Sequence, residues 1–297
     1  MPRFLVLRRA AFGDTLVLLP LLRAMQRRWP DASLELAGQA DFAAVLHARG
    51  AVAAVHSSED FALWALTGSG PAAERARGRL CAYQRIVADQ ELPAGAGWPP
   101  VARLRPEALV PGVPAGRQLV QQVAAVWPLA VAWPRDAWFG LARPPEPASG
   151  PLWLCPGSGA RAKCWPRAHW LLLAAELSAR GVPLGVVVGP AEQERDDPRR
   201  WPWPGGLPST LSFAVDLSPV ALADRFAGAR GCVGNDSGPT HLAAMLGVPT
   251  VAVFGASDPS VWAPQGPRVR VCGGSGRSLA EVAPAEVRAA GAALGLW

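Results

Sequence analysis

Three places in the chain gather residue types that chemistry can use. The segment GNDSGPTHLAAMLGVPT, residues 234–250, sets Asp236, Ser237 and His241 close together. An acid, a hydroxyl and an imidazole are the members of a hydrolytic relay. A nucleophile elbow needs G-x-S-x-G, however, and Ser237 lies in NDSGP. Triad partners also converge from separated loops, which one local turn does not allow. The segment reads better as a helix start, with Ser237 or Gly238 as cap, Pro239 in the first turn, and Gly247 closing the helix after about Leu246. Open N–H groups at Gly238, Thr240 and His241, beside the Ser237 and Thr240 hydroxyls and an imidazole, would then suit a diphosphate.

The second place is PGSGARAKCWP, residues 156–166, which follows one apolar run and precedes a helical pattern. Backbone N–H groups of such a turn can meet phosphate oxygens. It is not a P-loop, because Ala162 stands where the second glycine belongs and Cys164 replaces the hydroxyl. Lys163 remains as a point charge, and an ordinary turn with a solvated lysine is the plainer reading. The third place is Asp14, a carboxylate inside the apolar run MPRFLVLRRAAFGDTLVLLPLLRAM. It either caps a helix beginning at Thr15 or stands as a general base for a hydroxyl brought within hydrogen-bond reach; position alone favours the cap.

Other chemistries lack their residues. No G-x-G-x-x-G follows the first apolar run, so a dinucleotide fingerprint is missing. His47, His56, His169 and His241 form no H-x-x-x-H pair and no D-x-D occurs, so no metal is expected. Asp196 and Asp197 lie in an Arg-rich loop and read as solvated. No basic run interleaved with aromatics suggests nucleic acid.

The elements that must hold these residues alternate. Residues 3–9, 33–37 and 51–56 read as strands, and 41–50 as a helix capped by Gly50; from Thr15, apolar residues recur at helical spacing. Residues 68–116 are assigned only loosely, and 117–127 look helical. ARPPEPASGP, residues 142–151, is the best linker, since closely spaced prolines continue neither helix nor central strand. Beyond it, 152–155, 184–189, 231–234 and 250–255 read as strands. Helices are expected over 167–180, from Pro219 behind a Ser218 cap to about Ala227, and over 281–294. Repeated β-α units imply parallel sheets covered on both faces. The expected fold is α/β, with two Rossmann-like doubly wound domains facing a central cleft and ligands at the carboxyl ends of the strands.

Composition sets the bounds. The 297 residues suit two domains. A net charge of +6, mostly from arginine, favours anionic partners or reflects an Arg-rich bias spread over the surface. Cys81, Cys155, Cys164, Cys232 and Cys272 are scattered and mostly apolar in context, so they read as thiols in a reducing compartment without a disulfide framework. No apolar stretch reaches the length of a membrane span.

With these pieces placed, the chain resembles the ADP-heptose:lipopolysaccharide heptosyltransferases, glycosyltransferase family 9, of GT-B fold. The likeness spans most of the chain and rests on VLRRAAFGDTLVLLPLLRAM, PGSGARAKCWP, VVVGPAEQE and above all GNDSGPTHLAAMLGVPTVAVFG, in that order. It implies an N-terminal acceptor-side domain over 1–146, a nucleotide-sugar-binding domain over 147–280, and a C-terminal helix in 281–297 packing back on the first. It implies a metal-independent, cofactor-free inverting transferase whose donor is a nucleotide sugar, ADP-heptose first. Asp14 would be the catalytic base, with Lys163 and Ser158 on the phosphates. Glu192 would hold the ribose and Asp236 the sugar hydroxyls, while Ser237, Gly238, Thr240 and His241 surround the diphosphate. The partners implied are a glycan or glycolipid acceptor, with no nucleic acid. A monomer is implied, cytoplasmic and able to sit peripherally at the inner membrane face. A nucleotide-sugar epimerase of the same architecture and a non-catalytic sugar-nucleotide binder are the alternatives. One departure stands out: residues 38–66 carry only Arg49 and so no basic cluster for a phosphorylated lipid core.

Overall fold

The computed structural model describes residues 1–93, 97–130, 132–139, 149–203, 211–274 and 276–297. The chain forms two compact units, Met1–Asp136 and Ala137–Trp297. The seam expected at 146/147 falls outside the described residues.

The first unit runs β1 (Arg3–Leu7), α1 (Phe12–Leu16), α2 (Leu19–Arg28), β2 (Ser33–Gly38), α3 (Ala40–Ala48), β3 (Ala54–Ser57), α4 (Pro71–Cys81), β4 (Arg85–Ala88), β5 (Val101–Arg103) and α5 (Ala115–Ala124). Its sheet has the order β3-β2-β1-β4-β5 with every pair parallel. Leu5, Leu7, Ile86 and Ala88 on the two central strands share one apolar cluster with Phe61, Leu80 and Tyr83. Two elements differ from the sequence reading. The helix expected from Thr15 begins at Phe12 and is interrupted before Leu19. Pro20 has no N–H to offer the Leu16 carbonyl, so the first segment stops and α2 starts afresh with proline in its first turn. The loosely assigned stretch 68–116 holds α4, β4 and β5, whose strands are too short to show a period.

The second unit runs β6 (Leu152–Cys155), α6 (Arg167–Ala179), β7 (Leu184–Val188), α7 (Pro190–Arg195), β8 (Leu211–Val215), α8 (Pro219–Phe226), β9 (Gly231–Asn235), α9 (Gly238–Met245), β10 (Thr250–Phe254), α10 (Pro259–Trp262), β11 (Val269–Gly273) and α11 (Pro284–Ala293). Its parallel sheet is ordered β11-β10-β9-β6-β7-β8. Counted within the unit, that is the 3-2-1-4-5-6 order of dinucleotide-binding sheets. Strands β6, β9 and β10 are buried along their whole length, as central strands covered on both faces must be. Ser218 caps α8 as expected, its hydroxyl accepting from the Ala221 N–H at 3.2 Å. Helix α11 packs on α6, β10 and β11 of its own unit, and Arg288 donates to Glu176 at 2.6 Å.

Candidate active site

In the second unit the chain steps outward from β6 to β7 and β8, then returns to β9 on the other side of β6. The loops after β6 and β9 part at this switch point, where open α/β sheets bind ligands. Gly234 lets α9 fold back tightly onto β9, because a Cβ there would overlap the Thr240 hydroxyl. Asn235, fully buried, ties the two loops together: its Oδ1 accepts from the Trp165 N–H at 3.0 Å and its Nδ2 donates to the Pro156 carbonyl at 2.5 Å. The Trp165 indole anchors this loop further by donating to the Val282 carbonyl at 2.8 Å.

Asp236 stands between the two loops. Its carboxylate accepts from Lys163 Nζ at 2.7 Å and lies 3.5 Å from His241 Nε2. Burial by itself would raise its pKa. Hydrogen bonds from His241, Lys163 and Ser257 outweigh that and hold the carboxyl well below the usual carboxylate range. Ser158 Oγ donates to the Asp236 carbonyl at 3.0 Å, fixing the glycine-bearing turn against the same residue. Lys163 is 38% exposed, so its ammonium has donors left for a second anion.

Helix α9 starts behind Ser237, which has extended backbone and makes no side-chain cap bond. The Ser237 and Thr240 hydroxyls are 3.2 Å apart. One expectation is corrected here. The His241 N–H donates to the Ser237 carbonyl at 3.1 Å, because His241 already stands at the first i→i−4 position of the helix, so it is not an open donor. Thr240 and the His241 ring are buried, leaving Ser237, Gly238 and Pro239 as the part of this turn that reaches the surface.

Across the same edge, Glu192 in the first turn of α7 accepts from the Gly189 N–H at 2.7 Å. Its carboxyl rests against Gly157, where a Cβ would overlap it. A cavity of 330 Å³ opens here, bordered by Ser158, Glu192, Arg161, Arg167, Arg195 and Trp201. Three guanidinium groups and a neighbouring ammonium suit phosphate, while the carboxylate suits a vicinal diol.

Eight of the nine sequence-predicted site residues thus gather in the second unit; Asp14 belongs to the first. It sits half-buried in the first turn of α1, whose N-cap is Ala11 with no side-chain cap bond. The capping role weighed from the sequence fails because the helix begins before Asp14 rather than after it. Its electrostatic neighbour is Arg8, which is 5% exposed and has no hydrogen-bond partner for Nε or Nη1. Burial pushes the Arg8 pKa down, against the pull of Asp14 and of Asp89, whose Oδ2 lies 3.9 Å from Arg8 Nε.

The model of glycosyltransferase family 9 (heptosyltransferase) matches residues 136–286. The chain belongs to glycosyltransferase family 9. Lipopolysaccharide heptosyltransferase 1 of Pseudomonas aeruginosa is 40% identical over 101 residues, covering 33% of this chain and 26% of that protein. The protein of the same name from Escherichia coli O18:K1:H7 is 28% identical over 123 residues, covering 40% and 36%. The matched stretches therefore span only about a quarter to a third of those relatives. The fold likeness is longer. An Escherichia coli heptosyltransferase, WaaC, solved with ADP superposes with a TM-score of 0.71 at 20% identity, covering 97% of this chain and 98% of that one. The two parallel-sheet units are those of the GT-B fold.

Two residues of this family 9 site escaped the sequence reading. Asn235 reads as part of a motif, yet its contacts lie some seventy residues away. Arg195 reads as surface charge, but its Nη1 donates to the Ser158 and Gly159 carbonyls at 3.3 and 3.0 Å and holds the glycine-bearing turn to α7. The one signal for Asn235 was a polar residue closing an otherwise apolar strand.

Proposed function

We propose that the protein is an inverting, metal-independent glycosyltransferase that moves a heptose from an ADP-sugar to a glycan of lipopolysaccharide-core type. The observation that carries the reading is the Lys163–Asp236–His241 cluster at the second sheet's switch point, set beside the cavity that Glu192 borders. In this reading the Lys163 ammonium and the Gly238 N–H hold the diphosphate, Glu192 holds the ribose and Asp236 accepts from sugar hydroxyls. The names of the matched relatives and the ADP of the Escherichia coli structure support the donor.

The chemistry requires one base and one stabilised leaving group. The acceptor hydroxyl oxygen bonds to the anomeric carbon as the carbon–phosphate oxygen bond breaks on the opposite face, inverting the centre. The hydroxyl proton passes to the Asp14 carboxylate, and the departing nucleoside diphosphate keeps the bonding pair. Charge grows on that diphosphate in the transition state, where pre-aimed donors count most. The acceptor is lipid-linked in this reading, and the monomeric enzyme works at the inner face of the cytoplasmic membrane. No described helix is long and apolar enough to cross a membrane.

The test is Asp14→Asn assayed with ADP-heptose. Transfer falls by roughly 10²–10⁴-fold, the usual contribution of a general base, while ADP affinity stays within about twofold of wild type. Wild-type turnover in the variant would refute the base. Donor conversion without any acceptor would instead favour an epimerase.

A further inference from the structure

Arg8 follows β1 at the point where the chain leaves the first sheet. Its N–H donates to the Ala37 carbonyl of β2 at 2.9 Å, and its own carbonyl lies so close to Gly38 that a Cβ there would overlap it. The backbone is therefore fixed. The side chain is buried, and neither Nε nor Nη1 has a hydrogen-bond partner. A buried guanidinium with N–H groups left unmade costs stability, and burial lowers the Arg8 pKa. An apolar side chain would fill this place at less cost, so the charge calls for another explanation.

Two carboxylates face that charge. Asp89 is held beside β1 by its N–H, which donates to the Leu7 carbonyl at 3.4 Å. Its Oδ2 lies 3.9 Å from Arg8 Nε, too far for a hydrogen bond but close enough for attraction. Asp14, in the first turn of α1, pulls on Arg8 more strongly than Asp89 does. The other charged groups on the neighbouring elements are paired or exposed. Glu35 of β2 accepts from Arg3 and lies 2.8 Å from His56 Nε2, Arg9 faces Glu59 at 3.9 Å, and Arg103 of β5 is paired with Glu91. Helix α3, which packs on α1 through Phe42 and Phe12, carries Asp41 and His47, both exposed. Burial raises the Asp89 pKa, Arg8 opposes this, and Glu107 adds to the rise.

We infer that Arg8 is a positioning residue for the transfer: its buried charge keeps the Asp14 carboxylate ionised, and Asp89 balances it so that Asp14 can still take a proton. This role rests on the assignment of Asp14 as the base. Such a base is charged before the reaction and neutral after it, whereas a guanidinium stays protonated throughout. Asp14 is half-buried, and a donor diphosphate in the reacting complex adds to the cost of its charge; Arg8 offsets both. Without Asp89 the full pull of the guanidinium would leave Asp14 a weaker base.

The pH profile of transfer from ADP-heptose to deacylated lipopolysaccharide core tests this, because the acid limb of kcat/KM reports the base of the free enzyme. Arg8→Met moves that limb up by roughly one pH unit, and Asp89→Asn moves it down. Arg8→Lys keeps the charge and leaves the limb near its wild-type place. All three keep ADP affinity, and Arg8→Met melts within a few degrees of wild type. Carboxyl NMR of aspartate-labelled protein, with the Asp14 signal assigned by its loss in Asp14→Asn, follows the same shifts without any acceptor. Should Arg8→Met not fold, Asp89→Asn and Arg8→Lys still decide. A limb that stays in place in Arg8→Met, moves up in Asp89→Asn, or is displaced as far by Lys as by Met would overturn the role, since a merely structural residue lowers kcat without moving the limb in opposite directions. Wild-type turnover in Asp14→Asn would remove the base itself, whereas an inactive Asp14→Asn beside unmoved limbs removes Arg8 alone.

Discussion

Asp236 and Glu35 are both buried carboxylates kept ionised by their neighbours, one in each unit. Burial would raise Glu35, but hydrogen bonds from Arg3, His56 and Tyr83 prevail and hold its pKa at about 2. A carboxyl lowered in the folded state stabilises fully above its unfolded value near 4.5, and the contribution drains away as pH falls toward about 2. Urea unfolding of wild type and Glu35→Gln therefore differs by about 2–3 kcal/mol at pH 7, and the gap closes between about pH 4.5 and pH 2. A gap of the same size at pH 2.5 would show that packing, not charge, sets it. Candidate site residues on loops are legible in the sequence because their types stand out without partners: Lys163, Ser158, Glu192 and Asp236 each announce a charge or hydroxyl after a strand, and the structure gathers them in one unit. Asn235 and Arg195 are not, since their work is a contact with distant backbone carbonyls. The open N–H assigned to His241 failed for a related reason: one position along a helix decides whether a donor is already bonded.

At the scale of elements, the loop after β6 and the helix α7 are fitted to each other through Gly157. A Cβ at this position would overlap the Glu192 carboxyl, which sits at the end of a flexible side chain and can swing away. Gly157→Ala should therefore displace Glu192 from the Gly189 N–H with little effect on the core. ADP affinity falls about tenfold, roughly one hydrogen bond to a charged group, while the melting temperature moves by no more than a few degrees. Isothermal titration and a thermal melt read both; unchanged ADP affinity would detach Glu192 from the nucleotide. Legibility followed length and burial at this scale. Strands such as β1, β6, β9 and β10 are mostly apolar runs, with a polar residue only at an end, and their periods are legible in the sequence. β4 and β5 are short, and β8 and β11 mix buried with exposed positions, so neither a two-residue period nor an apolar run marks them. Pro20 was visible throughout, but the sequence did not show that the chain would answer it with two helices rather than a later start.

Over the whole molecule, each sheet has its own apolar cluster. Leu5, Leu7, Phe61 and Ile86 belong to one, while Leu152, Trp170, Val233 and Val251 belong to the other. The proposed nucleotide contacts all fall in the second unit, so on that proposal ADP should stabilise that unit by mass action and leave the other unchanged. At a concentration of one hundred times its dissociation constant the gain is about 2.7 kcal/mol. For a unit of this size that corresponds to roughly 5–10 °C in melting temperature. Scanning calorimetry should then resolve two transitions, of which ADP raises one and leaves the other in place. Gly157→Ala identifies the moving transition as that of the second unit, because the same ADP concentration shifts it less. A single transition would mean that the units melt as one body, and two transitions that both rise with ADP would mean that nucleotide binding is linked to both units, against a donor site confined to the second.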